Sequence, residues 1–306
     1  MHWRVRQADR LIKRYIWNVK RSMDASPKET VDKVSIVVVG RNDNYGGDFS
    51  DRLRATIDWN YGHIPNAELI YVEWNTIADR PSDTEWISKR YPNSKCFIVP
   101  NDIHLLYNTN PKIPMMEYHA KNVGIRQASN NWIGLINADV FLAENTIANM
   151  AALSKSHIYG THYINIKWKG EVLTKEFLSN KKIVLHQFST DKVLHSVVGN
   201  FIMTHRDNWW KATGYDERLT DVRDGVDTNG LRQLQYMGLK PMVIGDHYHL
   251  DHNESRIYGF NETHGNNRDF NKAITENIPY KNKDNWGLAD FPKKQIAENI
   301  WVFQKI

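Results

Sequence analysis

The sequence predicts an α/β fold with a mostly parallel central sheet flanked by helices. The run Val34–Val39 is apolar throughout, as in a strand that is covered on both faces of a parallel sheet. Strands that alternate with helices are typical of βαβ units. Further β-rich runs are found at Glu68–Trp74, Cys96–Val99 and Trp132–Ile136. Helical patterns at 50–59 and 117–129 separate some of them.

Length and composition agree with a large α/β protein. The 306 residues allow two domains of typical size, or one large domain with additions. A hydrophobic fraction of 41% excludes a disordered chain, and a formal net charge of only +5 argues against a protein that coats nucleic acid. We therefore expect no nucleic-acid partner.

Cysteine content and hydropathy indicate the compartment. Cys96 is the single cysteine, so no disulfide forms within the chain and a reducing compartment is favoured. No apolar run reaches the roughly 18 to 20 residues that cross a bilayer, and the first twenty residues carry too many charges for a secretory signal. These observations predict a cytoplasmic protein.

Residues 2–21 predict a basic amphipathic helix. Seven of them are Lys or Arg, and apolar residues recur among them at spacings of three and four. Such a helix can lie on an anionic membrane surface or dock on its own domain, and the sequence leaves both open. We expect 1–32 to form this helix and a hinge, which makes the protein peripheral on a membrane under the first alternative.

The rest of the chain divides into a main domain at 33–252 and an arm or lid at 253–306. The main domain has two halves, 33–145 and 146–252. The tail is rich in Asn and charged residues, which argues against a further domain. The elements expected in the second half are a strand at 194–203, a helix at 226–237 that ends at Gly238, and a strand at Pro241–Gly245.

A carboxylate follows the predicted strand Trp132–Ile136. Asp139 closes the sequence Asn137-Ala-Asp139, and the carboxyl ends of parallel strands face the ligand crevice in α/β folds. This position favours a binding role. A turn former or helix cap is the alternative for Asp139.

Histidines are concentrated in the segment Asp246–His252. In an extended backbone His247 and His249 point to the same side, because successive side chains alternate. Two imidazoles with the Asp139 carboxylate suit Mn²⁺ or a similar divalent ion, and zinc is the other metal that such ligands bind. The histidines could also serve only as hydrogen-bonding groups.

Asp227 opens the predicted helix at 226–237. A carboxylate in the first helical turn stabilises the helix by up to about 1 kcal/mol, whatever else it does. A general base is the functional alternative, and Asp224 is the rival residue for that role.

The loop Gly40–Asp48 is glycine-rich, but it matches neither the dinucleotide-binding fingerprint nor the P-loop pattern. Arg41 and the backbone amides of this loop are candidates to contact a nucleotide. Glu73, near the end of the next predicted strand, is a candidate to accept hydrogen bonds from a base or ribose.

In this order the motifs resemble the family-2 glycosyltransferases with a GT-A fold. The resemblance runs from Val34 to about His252. It implies a mostly parallel, Rossmann-like sheet with a smaller sheet on the acceptor side. The matching parts are Val34–Asp43, Glu73, Ala120–Ala128, Asn137–Asp139, Gly199–Met203, Arg206 with Trp209, Gly214–Glu217, and Asp227 with Leu231.

The resemblance implies a transferase of hexosyl or related groups, with a nucleotide-diphosphate sugar as donor. The acceptor is then a hydroxyl of a glycan or of a lipid-linked molecule, as in polysaccharide biosynthesis. The residues that match donor-binding positions of the family are Gly40, Arg41, Asn42 and Asp43 for the nucleotide, Glu73 for the base, and Lys121 and Asn122 near the donor.

Asp139 matches the last acid of the family's D-x-D element, and Asn137 stands where the first acid is found. The resemblance implies Mn²⁺ or Mg²⁺ at Asp139, with His249 or His247 completing the ligands. Asp227 matches the acid that acts as base in inverting members, which implies inversion at the anomeric carbon, with retention as the open alternative.

Two other functions are compatible with the residues. A nucleotidyltransferase or sugar-nucleotide hydrolase would use a similar nucleotide-binding half. A non-catalytic module would bind membranes or nucleic acid through the basic N-terminal helix, with an affinity that falls steeply with salt.

Overall fold

A computed structural model describes residues 15–16, 18–64, 66–187, 199–223, 225–252 and 280–306. The strands are β1 (Glu29–Thr30), β2 (Val34–Gly40), β3 (Glu68–Trp74), β4 (Lys95–Val99), β5 (Trp132–Asn137), β6 (Val140–Leu142), β7 (Ala152–Leu153), β8 (His157–Lys167), β9 (Ile183–Gln187), β10 (Phe201–His205), β11 (Lys240–Asp251), β12 (Lys293–Ala297) and β13 (Ile300–Phe303).

The helices lie mainly between the strands. They are α1 (Phe49–His63), α2 (Asp83–Arg90), α3 (Asn101–Tyr107), α4 (Glu117–Gln127), α5 (Glu144–Asn149), α6 (Lys175–Asn180), α7 (Arg206–Ala212) and α8 (Val226–Tyr236). A 3₁₀ turn covers Tyr45–Gly47, and residues 18–23 are helical. The rest of the predicted N-terminal helix falls largely outside the described residues.

One mixed sheet organises the described chain. Its order is β12-β13-β4-β3-β2-β5-β10-β8-β11-β6, with β9 paired to β8. The run from β13 to β5 is parallel, and β10 joins it antiparallel to β5. The predicted α/β class with a mostly parallel central sheet is therefore confirmed.

The apolar run at Val34–Val39 forms the centre of the core. Every residue of β2 is buried, because β3 and β5 flank it in the sheet and α4 covers it. The helix comes close enough to β2 that a β-carbon on Gly124 would lie 2.2 Å from a methyl carbon of Val37. This packing fixes α4 closely against the centre of the sheet.

The strand predicted at Pro241–Gly245 is longer than expected. β11 continues to Asp251, with an irregularity between Val243 and Asp246, because β8 and β6 pair with it on both sides. The histidines at 247 and 249 therefore lie within the strand rather than after it. The strand predicted at 194–203 overlaps β10, and its first part lies outside the described residues.

The described part of the predicted arm joins the main sheet. Strands β12 and β13 form an antiparallel hairpin, and β13 pairs in parallel with β4. Ile300 and Phe303 are buried there. Across the described chain, no helix is both long and apolar enough to pass through a bilayer.

Candidate active site

A cleft of about 600 Å³ opens at the carboxyl ends of β2 and β5. The loop after β2 lines one side, and the ends of β5 and β11 line the other. Its volume is in the range of sites that hold nucleotide-sized ligands. The lining includes Gly40, Arg41 and Asp43 from the predicted nucleotide loop, and Asn137, Asp139 and His249 from the predicted metal region.

Asp139, His249 and His252 form a candidate metal centre in this cleft. One ligand atom from each lies within 4.8 Å of the others. The Nε2 atoms of His249 and His252 are 3.5 and 3.1 Å from Oδ2 of Asp139. Strand pairing brings them together, since Val140 is opposite His249 and the Leu250 amide donates to the Asp139 carbonyl at 2.9 Å.

A buried arginine completes the surroundings of Asp139. Arg52, 1% exposed, places Nη1 3.4 Å from Oδ2 of Asp139 and Nε 2.8 Å from a carboxylate oxygen of Asp48. It also donates to the carbonyl of Tyr45. Burial acts to raise the pKa of Asp139, but the imidazoles of His249 and His252 outweigh it and hold that pKa well below its ordinary value.

His252 takes the place that the sequence suggested for His247. The His247 ring is fully buried, its Nδ1 lies 2.7 Å from the Thr161 hydroxyl, and burial lowers its pKa to about 3. The Tyr163 ring is 5.4 Å from both the His247 and His249 rings, so these two share one face of β11. Only His249 of the pair belongs to the centre, because the strand carries His247 into the interior.

A hydrogen bond from Lys121 holds the side chain of Asn137. Nζ of Lys121 donates to Oδ1 of Asn137 at 3.0 Å, to Glu117 at 2.6 Å and to the Gly199 carbonyl at 3.1 Å. Lys121 is 1% exposed and does not line the cleft, although two of its hydrogen-bond partners, Asn137 and Glu117, do. Glu117, which lines the cleft, was not singled out by the sequence.

Three predicted donor residues are engaged elsewhere. Asn42 bonds the backbone of Ile77 and Arg80, and Asn122 bonds the backbone of Tyr215. Glu73 is buried and accepts from the Ser82 hydroxyl and the Asp83 amide at the start of α2, and burial raises its pKa to about 7. None of the three lines the cleft. Their side chains shape the backbone around it.

Of the two residues predicted as general base, Asp224 and Asp227, the structure describes only Asp227. Asp224 lies outside the described residues. Asp227 is half-buried at the start of α8, and a β-carbon on Gly199 would lie 2.8 Å from its Oδ2. Asn200, the neighbour of Gly199, lines the cleft. Asp227 therefore lies beside Gly199, the chain neighbour of a residue that lines the cleft.

The sequence pattern did not indicate His252, which belongs to the centre, or Arg52, which contacts Asp139. His252 follows the strand and carried no spacing signal of its own. Arg52 occupies an inward position of α1 beside Phe49, Leu53 and Thr56, all buried. A charged residue in an otherwise buried helical register was the available signal for it.

No protein-family model matches this chain, and no curated protein matches it. Among solved structures it is similar to GalNAc-T7 with UDP, GalNAc and Mn²⁺, at a TM-score of 0.52 and 15% identity over 76% of this chain and 46% of that one. It is also similar to the mannosyltransferase PcManGT from Pyrobaculum calidifontis in complex with GDP-Man and Mn²⁺, at a TM-score of 0.46 and 15% identity over 80% and 65% of the two chains.

A third similar structure is TarS of S. aureus, with a TM-score of 0.41 and 14% identity over 72% of this chain and 37% of that one. The chain spans less than two thirds of the length of each of these proteins. The similarity to GalNAc-T7 is one of fold. The central sheet, its flanking helices and this similarity together give the chain a GT-A fold, as the sequence predicted.

Proposed function

We propose that the protein is a metal-dependent glycosyltransferase of the family-2 type, which moves a sugar from a nucleotide-diphosphate sugar to a hydroxyl acceptor. The observation that carries the proposal is the centre formed by Asp139, His249 and His252 inside a nucleotide-sized cleft. GT-A neighbours whose structures hold UDP or GDP-Man with Mn²⁺ support it.

The ligand chemistry of the centre fits Mn²⁺ or Mg²⁺, with Mn²⁺ favoured. One carboxylate oxygen and two imidazole nitrogens are a mixed set of the kind that Mn²⁺ accepts, whereas Mg²⁺ prefers oxygen ligands alone. Asp139, His249 and His252 would hold the ion. A bound divalent cation would stabilise the negative charge that develops on the departing diphosphate.

The chain's own residues then bind and orient the two substrates. Arg41 and Arg223 bring two guanidinium groups to the cleft, and these suit phosphate oxygens. Asp43 holds Arg41 through an ion pair at 3.0 Å. We assign the nucleotide to the Gly40–Asp43 side of the cleft and the acceptor to the Asn200 side.

Asp227 is the base in this proposal. A single displacement needs one carboxylate to take the proton from the acceptor hydroxyl, and it inverts the anomeric carbon. Asp227 lies next to the wall that Asn200 contributes, and Asp224 precedes it by three residues.

The acceptor is a glycan or a lipid-linked molecule in this proposal, as expected for hexosyl transfer in polysaccharide biosynthesis. A cytoplasmic enzyme held at a membrane by residues 1–21 would meet a lipid-linked acceptor at its surface. Binding to anionic vesicles by the full chain, compared with a chain lacking 1–26, tests this part. Equal binding of the two contradicts it.

Calorimetry of the Asp139→Ala variant tests the metal function. We expect loss of Mn²⁺ affinity and of Mn²⁺-dependent UDP or GDP affinity, because the variant removes the only carboxylate of the centre. Asp51→Ala, an exposed carboxylate on α1, is the matched control and should bind as the wild type does. Unchanged affinities in Asp139→Ala would contradict the proposal.

Product analysis with a panel of nucleotide sugars tests the reaction class. Glycosyl transfer releases a nucleoside diphosphate only as a glycoside forms. Release of pyrophosphate would favour a nucleotidyltransferase, and free sugar without acceptor a hydrolase. With an active donor, Asp227→Asn should keep donor affinity while turnover falls about 100-fold or more. Unimpaired turnover would move the base role to another residue.

A further inference from the structure

We propose that Asn165 is a positioning residue that fixes the His249 imidazole in the tautomer able to bind a cation through Nε2. In this proposal Asp251 and Lys167 hold the Asn165 amide in the required orientation. The inference rests on the metal function proposed above, and it adds to that function three residues that do not touch the ion.

The sheet brings the four side chains together. Strands β8 and β11 run in parallel, with Asn165 opposite His249 and Lys167 opposite Asp251. Nδ1 of His249 lies 2.9 Å from Oδ1 of Asn165. Nδ2 of Asn165 lies 2.9 Å from Oδ1 of Asp251, whose other oxygen is 2.5 Å from Nζ of Lys167. All four positions are on paired strands rather than on loops.

The charged pair of Lys167 and Asp251 determines which groups donate and which accept in the hydrogen bonds to Asn165 and His249. Asp251 forms an ion pair with Lys167, whose ammonium group donates to one carboxylate oxygen at 2.5 Å. An ionised carboxylate only accepts, so the NH₂ group of Asn165 must face Asp251. The carbonyl of Asn165 therefore faces His249.

That orientation decides the protonation pattern of His249. A carbonyl oxygen only accepts, so Nδ1 of His249 must carry the hydrogen that Asn165 receives. In the neutral ring the lone pair is then on Nε2, the atom 3.5 Å from Oδ2 of Asp139. A metal-binding histidine whose other nitrogen donates to a carbonyl has the arrangement that fixes ring and tautomer.

His247 provides the contrast on the same two strands. Its Nδ1 meets the hydroxyl of Thr161 at 2.7 Å, and a hydroxyl either donates or accepts. Nothing in that contact selects one tautomer. Thr161 of β8 is thus a matched control for Asn165, since the side chain of each contacts Nδ1 of a histidine of β11.

The test measures binding of Mn²⁺ alone, from the loss of the free-ion signal in electron paramagnetic resonance. In Asn165→Leu we expect affinity about 10- to 100-fold lower, because the acceptor for Nδ1–H is gone. The double variant Asn165→Asp with Asp251→Asn exchanges carboxylate and amide and should restore affinity. Thr161→Val should bind Mn²⁺ as the wild type does.

The second readout is the ¹⁵N chemical shifts of His249 in the metal-free protein at pH 8, where an ordinary imidazole is neutral. The wild type and the double exchange should show hydrogen on Nδ1. Asp251→Asn alone should give a mixture, because an amide at 251 lets Asn165 turn either way. These two variants replace Asn165→Leu if that protein does not fold.

Unchanged tautomer populations in Asn165→Leu or in Asp251→Asn would overturn the inference, as would wild-type Mn²⁺ affinity in Asn165→Leu. Failure of the metal function itself looks different. In that case the wild type and Asp139→Ala bind Mn²⁺ equally poorly, while the ¹⁵N shifts still report whether Asn165 selects the tautomer.

Discussion

At Gly46 the loop Gly40–Asp48 contacts the surroundings of the candidate metal centre. Its backbone has φ of 77°, and a β-carbon there would lie 2.6 Å from Nη2 of Arg52 and 3.0 Å from Nδ1 of His252. Arg52 in turn binds Asp139 and the carbonyl of Tyr45. A single small residue therefore lets the loop lie directly on two of the groups that surround the centre.

Gly46→Ala is expected to weaken Mn²⁺ binding, because the added methyl group displaces Arg52 or His252. Gly47→Ala is the matched control. Gly47 has φ of 95°, so alanine there meets the same left-handed strain of about 1–2 kcal/mol. Apart from its chain neighbours, however, no described residue has an atom within 4 Å of the added carbon. Equal loss of Mn²⁺ affinity in the two variants, measured by calorimetry, would show that contact with the centre is irrelevant.

Glu73 should make stability fall as the pH rises. Its pKa of about 7 in the folded protein is above the ordinary 4.5, so between these values the folded state binds more protons than the unfolded state. Wild-type unfolding free energy should therefore decrease by up to about 3 kcal/mol between pH 4.5 and pH 8 through this residue.

Urea unfolding of wild type and Glu73→Gln at pH 5 and pH 8 measures this contribution. The glutamine keeps an acceptor for Ser82 and Asp83 but does not titrate. As the pH rises, the unfolding free energy of the wild type should decrease relative to that of Glu73→Gln. A difference that is the same at both pH values would disprove the assignment.

At this scale the sequence was informative where a residue's position follows from its own strand. Asp139 was found because it follows an apolar strand, and His249 because of the alternation along β11. Arg52 reaches Asp139 from α1, 87 positions earlier in the chain, so its approach depends on packing that no local pattern encodes. His252 lies just beyond the end of β11, where strand alternation no longer predicts the side to which a residue points. Asn165 carried no sequence signal at all.

Among the elements, α4 shows why a glycine can be necessary within a helix. The sequence pattern treats Gly124 as unfavourable, since glycine costs about 1 kcal/mol relative to alanine in a helix interior. The structure shows the reason for it, because a β-carbon at this position would overlap the Val37 side chain of β2. Close contact between helix and sheet takes precedence over helix propensity here.

Gly124→Ala should destabilise the protein by about 1–3 kcal/mol through overpacking. Val37→Ala in the same chain should recover part of that loss, which a double-mutant cycle of unfolding free energies measures. Gly62→Ala in α1 is the control and should be neutral or slightly stabilising. Among the described residues, nothing outside its own helix and chain neighbours lies within 4 Å of its added carbon. A stable Gly124→Ala protein would contradict the packing argument.

The end of β11 could not be predicted from the local sequence. Gly245 and the polar residues after it predict the end of a strand. In the fold the pairing with β8 shifts its register between Val243 and Asp246 and then resumes, while β6 pairs from the other side. Pairing with distant strands overrides the local signal, and it is this extension that holds His249 and Asp251 rigidly.

For the whole molecule, the hairpin of β12 and β13 sets the edge of the sheet. The sequence predicted an arm or lid from composition alone, and a strand of only four residues has too short a pattern to reveal its partner. In the fold Phe303 is 1% exposed, with its ring centroid 6.2 Å from that of Phe97 on β4. The described tail is thus a structural part of the main sheet, paired with β4.

Phe303→Ala should lower the unfolding free energy by about 3–5 kcal/mol, as expected for truncation of a buried aromatic ring. Ile306→Ala is the control, because Ile306 is 80% exposed and its truncation should change little. Nucleotide affinity of the folded Phe303→Ala protein should stay unchanged, since Phe303 does not line the cleft. Equal stability of the two variants, measured by chemical denaturation, would contradict the structural role of the hairpin.

The late position of β13 in the chain has a consequence for synthesis. Until residues 300–303 have left the ribosome, the parallel strand Lys95–Val99 presents a row of unpaired amides and carbonyls on one side. Such an edge pairs readily with strands of other nascent chains. The growing polypeptide is therefore most exposed to aggregation between the synthesis of β4 and that of β13, and a chaperone that shields this edge would act in that interval.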